Sequence, residues 1–292
     1  MTSLTQLFLA VAILLAPSRA TAQVAISTEP ARPLRGTLIR LHVTPTISDL
    51  VTGIEGAIAD EPLHFHSDDG VTWASLAGIP IEGGDSIAVV LVLLHGDRRD
   101  TVRTAIAVTS GDYPVDRLSV APGMAEPSAA ARRRIAREIA RGRAVSRLSH
   151  QTPPLWTEPF VLPRDSRITS GFGNGREFNG KVLSRHLGTD FDGSVGDPVR
   201  AVNRGRVVLV AGFYLAGTVV YLDHGDGIVS AYFHLSRALV KPGQMVERGQ
   251  LIAEVGRSGR VTGPHLHFVM RYGATTVDPM SVMGLLGVSS KQ

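Results

Sequence analysis

Apolar residues of this 292-residue chain fall into short runs separated by turn residues, and settle into a helical period only once. Thr37–Val43 (TLIRLHV) partly alternates between apolar and polar positions, and Ser86–Leu94 (SIAVVLVLL) is a continuous apolar run rich in β-branched residues. Pro30, Pro33, Asp68-Asp69-Gly70 and Gly83-Gly84 punctuate these stretches. Together they predict short strands over residues 23–118 and a small β-sandwich. Ala121 through Pro127 reads as a linker. Ser128–Leu148 is the exception in period: Ala131, Ile135 and Ile139 share one helical face, with Arg132, Arg133, Arg137 and Arg141 mostly off it. A solvated face is the expected reason for that charge.

From Gln151 onward glycine and valine dominate. Strands are predicted at Pro198–Val202, Arg206–Val210, Thr218–Leu222, Ile228–Leu235, Leu251–Val255 and His265–Tyr272. There is an internal echo: Gly196-Asp197-Pro198-Val199 with Arg204-Gly205-Arg206-Val207 resembles Pro242-Gly243-Gln244-Met245-Val246 with Arg248-Gly249-Gln250-Leu251. Biotinyl and lipoyl domains and the sugar-transport IIA proteins also use paired hairpin units, so they compete as readings. The expected fold class is mainly β. A sandwich-like N-terminal domain (23–118) is followed by a linker with a basic helix (119–150) and an antiparallel β domain (151–292).

The N-terminus changes the picture of where the chain works. Leu7–Ala16 is an apolar run of ten residues, followed by Pro17 and then Ala20-Thr21-Ala22, the layout of a cleavable signal over residues 1–22. Its leading segment lacks Lys and Arg, a departure from the usual pattern. The run is short of the roughly 20 residues that span a bilayer, so no stable membrane span is expected after cleavage. The chain is expected in the periplasm or outside the cell. It contains no cysteine, which excludes disulfides, thiolate metal sites and a thiol nucleophile, and makes a lipid anchor unexpected. A formal charge of +4 favours anionic partners. Nucleic acid, membrane and anionic cell-wall polymers all satisfy that, and charge alone does not choose.

Candidate chemistry lies among the histidines. His186-Leu187-Gly188-Thr189-Asp190 sets an imidazole and a carboxylate four residues apart. His265-Leu266-His267 lies in a predicted strand, where alternation sends both side chains to one face. His234, in Tyr232-Phe233-His234-Leu235, adds one more. Catalytic zinc takes three protein ligands from such groups and keeps one position open. An H-x-H pair by itself is weak evidence: His64-Phe65-His66, with Asp68 and Asp69 nearby, has the same look but no supporting motif, and is read as an exposed strand-turn.

The segment from Ile168 to Pro279 resembles the lysostaphin-type, or LytM-like, peptidase domain. The likeness rests on Ser170-Gly171-Phe172-Gly173, His186-Leu187-Gly188-Thr189-Asp190-Phe191 and Gly196-Asp197-Pro198-Val199-Arg200-Ala201. It continues through Asp223-His224-Gly225, Tyr232-Phe233-His234-Leu235-Ser236, Gly263-Pro264-His265-Leu266-His267-Phe268 and Val277-Asp278-Pro279, all in the family's order. The resemblance implies a duplicated hybrid motif type of fold and one zinc per chain, held by His186, Asp190 and His267. His265 and His234 would be the catalytic pair, assigned as general base and oxyanion stabiliser, roles that could be exchanged. His224 is read as structural. With no H-E-x-x-H helix, imidazoles must move the proton that glutamate moves in other zinc peptidases.

The implied function is a zinc-dependent endopeptidase of bacterial peptidoglycan, acting on stem peptides or cross-links, with no nucleic-acid partner. Export without an appended wall-binding module slightly favours stem cross-links over an oligoglycine bridge. The alternative is a non-catalytic envelope module that binds wall or activates other hydrolases, against which the intact ligand set argues. The IIA and biotinyl readings fit poorly: those proteins are cytoplasmic, and a biotinyl domain needs a hairpin lysine where this half offers only Lys181, Lys241 and Lys291. Because every candidate residue falls between His186 and His267, residues from about 151 to 292 are expected to suffice for hydrolysis.

Overall fold

A computed structural model describes residues 24–46, 50–120 and 122–287. The signal-like segment 1–22 and linker residue Ala121 lie outside the described residues. Strands β1 (Val24–Glu29), β2 (Leu38–Pro45) and β5 (Trp73–Gly78) form one sheet of the N-terminal region, in the order β1–β2–β5. The second sheet runs β4 (Glu61–His64), β3 (Gly53–Ile58), β6 (Ser86–His95), β7 (Arg98–Ala107). Ile39, Leu41 and Val43 of β2 meet Val89, Leu91 and Leu93 of β6 in the core between them. The run Ser86–Leu94, uniform in sequence, is therefore not buried on both faces: Val90, on the outer face, is 37% exposed.

Opposite β2's sandwich face, Leu38, together with Leu76 of β5, packs into the core of the C-terminal region. The two regions share further contacts. Leu38 N donates to Ser281 Oγ (2.9 Å), Asp278 N to Gly36 O (2.6 Å) and Tyr272 Oη to Pro62 O (2.7 Å). His64 corrects the strand-turn expectation: it is half-buried in this contact, with Nε2 2.8 Å from His150 Nδ1, while His66 stays exposed. His150 in turn bonds the buried Glu61 at 3.0 Å.

The end of the stretch assigned to the N-terminal domain forms β8 (Val115–Leu118); the linker that follows holds a short α1 (Pro122–Ala125) and α2 (Ala129–Arg147), which leads into a 3₁₀ turn, Leu148–Gln151. Ser128 caps α2 by accepting from Ala131 N. The inward stripe of α2 is Ala131, Ile135, Gly142, Val145 and Ser146, whereas Ile139 is 48% exposed. Small residues decide this: a Cβ on Gly142 would lie 2.7 Å from the Tyr221 hydroxyl, so the helix approaches the sheet where it has no side chain.

The C-terminal region contains β9 (Ile168–Ser170), β10 (Gly175–Phe178), β11 (Lys181–Arg185), β12 (Thr189–Asp192), β13 (Pro198–Arg200), β14 (Gly205–Phe213) and β15 (Gly217–Gly225). It continues with β16 (Ile228–Leu235), β17 (Arg237–Ala238), β18 (Met245–Val246), β19 (Leu251–Glu254), β20 (His265–Tyr272), β21 (Thr275–Val277) and a closing α3 (Pro279–Leu286). One antiparallel sheet runs β18–β14–β15–β16–β20–β12–β9, with β21 beside β20. The small sheet β13–β19–β17 supplies Val199, Ile252 and Ala253 to a shared core with Leu222, Tyr232, Leu266 and Phe268 of the large one. The large sheet's other face carries Tyr221, Val229, Ala231 and Val269 beneath α2. A third sheet, β11–β10–β8, is completed by β8, which leaves the N-terminal sandwich and joins β10 in parallel.

The sequence echo has a structural counterpart. Gly196 and Gly243 both adopt left-handed φ (95° and 87°), and the two units clasp each other through Gly243 N to Val207 O and Gly249 N to Ala201 O, both 2.8 Å. The closing Val277-Asp278-Pro279 is a helix start: Asp278 accepts from Met280 N, with Pro279 at the first position of α3.

Candidate metal centre and groove

The strand β20 sets the geometry. His265 and His267 sit on its α2-facing side, and register places Asp190 of β12 directly opposite His267, with Phe233 of β16 opposite on the far side. Asp190 and His267 are thus cross-strand neighbours despite a sequence separation of 77. His186 is brought in by the connection preceding β12, which is pinned by two backbone bonds, Gly173 N to His186 O and His186 N to Asn174 O, each 2.7 Å.

His186 Nε2, Asp190 Oδ1 and His267 Nδ1 form a triangle with edges of 2.9 Å between the imidazoles, and 3.0 and 2.7 Å to the carboxylate. All three residues are buried, and among the described residues this is the one group of His and acidic side chains gathered closely enough to hold a metal. Donors on tetrahedral zinc stand roughly 3.3 Å apart, given bonds of about 2.0–2.1 Å. The set therefore fits zinc in chemistry, with edges about 0.3–0.6 Å shorter than that spacing. His186 Nδ1 donates to Gly171 O at 2.7 Å, which leaves the Nε2 lone pair directed at the other two. Ser170 Oγ lies 3.0 Å from the same Nδ1 and donates to Asp116 of β8 at 2.6 Å. Contacts to this site thus cross the boundary drawn at residue 151.

Burial alone would raise the pKa of Asp190, but the adjoining His186 and His267 rings outweigh it and hold the carboxylate well below its usual range. Burial depresses His267 to about 4, keeping the ring neutral and able to ligate. Arg176 of β10 donates to Asp190 Oδ2 at 2.6 Å, leaving Oδ1 for the triangle. His224 is buried with both nitrogens paired, to Arg204 O and Ser230 Oγ at 2.8 Å each, consistent with a structural role.

Gly188 explains the glycine in the H-L-G-T-D segment. A Cβ there would lie 2.6 Å from both His267 Cε1 and Phe268 O. Gly188→Ala is expected to displace the His267 ring and lower zinc affinity by about 10–100-fold, the range of lost second-shell support. Competition with a chelator of known affinity measures it.

His234 reaches the site by an unusual backbone. Strand alternation from Phe233 would send it to the opposite face, but its φ of 61° re-aims the ring, whose centroid lies 5.0 Å from that of His265 and 5.7 Å from that of His267. Its Nδ1 donates to Ser258 O at 2.8 Å, and burial holds its pKa well below the usual value. His265 is tethered in the same way, Nδ1 to Gly263 O at 2.9 Å, with Nε2 3.7 Å from Asp190 Oδ1.

A groove of about 460 Å³ opens beside the triad, lined by β8, by Arg176 and Phe178 of β10, by Asp190 and by the loop from Arg260 into His265. Among the described residues, the wall of a larger hollow of about 970 Å³ in the N-terminal region holds no histidine or carboxylate. All five sequence-derived site residues meet at one place. Arg176, Asp116 and Ser170 were not assigned roles from sequence. Ser170 lay within a quoted motif, whereas nothing in the sequence marked Asp116.

Residues 184–279 match the model of peptidase family M23. Over 116 residues the chain is 42% identical to the peptidoglycan DD-endopeptidase ShyB of Vibrio cholerae, an alignment covering 39% of this chain and 27% of that protein. It is 38% identical to the glycyl-glycine endopeptidase ALE-1 of Staphylococcus capitis, covering 41% of this chain and 35% of that protein. The first four curated relatives are matched over only 27–28% of their own length. A crystal structure of a putative M23 peptidase from Pseudomonas aeruginosa aligns with a TM-score of 0.65 at 26% identity, covering 87% of this chain and 96% of that one. That likeness extends beyond the matched domain into the upstream region. Residues 184–279, within the C-terminal β region, carry a peptidase family M23 domain.

Proposed function

We propose that this protein is a zinc-dependent endopeptidase of the bacterial cell envelope that hydrolyses peptide bonds in peptidoglycan. The observation that carries the reading is the convergence of His186 Nε2, Asp190 Oδ1 and His267 Nδ1 beside two further tethered imidazoles. These three residues would hold one zinc per chain. When bound, zinc supplies Lewis acidity that polarises a carbonyl and makes water nucleophilic near neutral pH. His265 lines the groove with its Nε2 free of the Gly263 bond, placed to take the proton that water loses. The proton that His265 takes from water is the one passed on to the leaving amine. His234, whose Nδ1–H is taken by Ser258 O and which burial keeps unprotonated at Nε2, offers a second proton acceptor facing the same site. Arg176 fixes the carboxylate, and Ser170, backed by Asp116, fixes the His186 ring.

Envelope location fits the wall-acting relatives and the signal-like N-terminus. Among the described residues no helix is long and apolar enough to cross a membrane. A purely binding role is disfavoured by the complete set of ligating and proton-transferring groups. Purified protein should release new amino termini from wall sacculi, a chelator should abolish the release, and added zinc should restore it. Release that persists at full rate in excess chelator would remove the metal from the mechanism.

A further inference from the structure

We propose that Arg260, with Arg176 behind it, forms a subsite for a free carboxylate of the substrate next to the scissile bond. This rests on the peptidase reading above and narrows its substrate: an acidic stem-to-stem cross-link rather than an uncharged oligoglycine bridge.

The case begins with the charges that line the groove. Arg176 is matched by Asp190 at 2.6 Å, Arg117 by Glu177 at 3.7 Å and Asp192 by Arg167 at 3.6 Å. Asp116 accepts from Ser170 and Asn174. Arg260 differs. Among the described residues no carboxylate lies within ion-pair distance of it. Its contacts are the Met124 carbonyl at 3.5 Å, at the edge of hydrogen-bonding range, and the face of the Phe178 ring, whose centroid is 4.1 Å from its guanidinium carbon. The ring holds the guanidinium plane in place while leaving most of its N–H fork without a protein partner.

Burial and the nearby Arg176 charge together depress the Arg260 pKa to about 10, so it remains cationic at neutral pH. Two like charges beside a groove, one without an acidic partner, are unfavourable in the empty site and favourable around an anion. A carboxylate suits the planar fork, which can bind it through two parallel hydrogen bonds. The groove also contains Asp190 and His265, so an anion held by Arg260 belongs to the residue flanking the bond being cut. Glycine bridges carry no side-chain carboxylate there. A stem cross-link made through a diamino dicarboxylic acid does, because the carbon bearing the acylated amine keeps its own carboxylate.

The test uses the full mature chain and a matched pair of cross-linked peptides, one with a free carboxylate beside the scissile bond and one with the corresponding carboxamide, alongside pentaglycine. Zinc-loaded wild type should favour the carboxylate peptide over the amide by about 10–100-fold in kcat/KM, the worth of a charge-assisted hydrogen bond. Arg260→Gln should erase the preference by raising KM for the carboxylate peptide alone, with zinc content unchanged, and Arg260→Lys should recover part of it. Calorimetric titration of zinc-free protein, which cannot turn over, should show the same preference in binding and its loss in Arg260→Gln. Equal cleavage and binding of the two peptides by wild type, or equal loss on both in Arg260→Gln, would overturn the subsite. Binding preference without cleavage of any peptide would leave the subsite standing and overturn the peptidase reading instead.

Discussion

His186→Ala, Asp190→Ala and His267→Ala are each expected to abolish hydrolysis by losing the metal. Each residue supplies one corner of a triangle with edges of 2.7–3.0 Å, and no fourth protein donor of the same kind joins the group among the described residues. Removing a second-shell partner already costs roughly 10–100-fold in metal affinity, so removing a ligand should cost more. Asp190→Ala carries a further penalty, because it strips Arg176 of its partner and leaves a half-buried guanidinium uncompensated. Elemental analysis after gel filtration should find the variants near zero zinc against one equivalent in wild type. Full zinc occupancy in any of them would show that the ligand set is wrong.

His265→Ala and His234→Ala should behave differently, keeping zinc while losing about 10²–10⁴ in kcat, the usual worth of a positioned acid or base. Neither ring belongs to the triangle, yet both are fixed through Nδ1 to a backbone carbonyl, Gly263 and Ser258 respectively. That bond leaves Nε2 as the reactive nitrogen in each. Because His234 occupies a left-handed backbone position that alanine tolerates less well, its variant is the one to check for folding by circular dichroism. Turnover near wild type with zinc retained would exclude the residue concerned.

Strand alternation was enough to predict that His265 and His267 share a face, and the short-run pattern was enough to predict a chain that is mainly β. Other features depend on tertiary contacts that no local period encodes. Ile139 looked inward on a helical wheel, but the helix is rotated by the close approach of Gly142 to Tyr221. Val90 sits in an uninterrupted apolar run and yet faces outward, because the sheet's outer face is uncovered there. His64 looked like a surface turn until the two regions packed together and set it against His150. His234 reaches the site through a single positive φ, and Asp116 through a parallel pairing of β8 with β10 across more than fifty residues. The latter contact bears on how much of the chain hydrolysis requires. A fragment starting at residue 151 retains every ligand but lacks the strand that walls the groove.

Digestion of a purified cross-linked wall dimer in ¹⁸O-labelled water tests the central claim most directly. Zinc-loaded wild type should convert the dimer to monomers bearing a new amino group and a new carboxylate that contains the label. The metal-depleted protein should leave the dimer intact. A zinc-loaded, folded protein that leaves both the dimer and intact sacculi uncut would contradict the assignment of this chain as a wall endopeptidase.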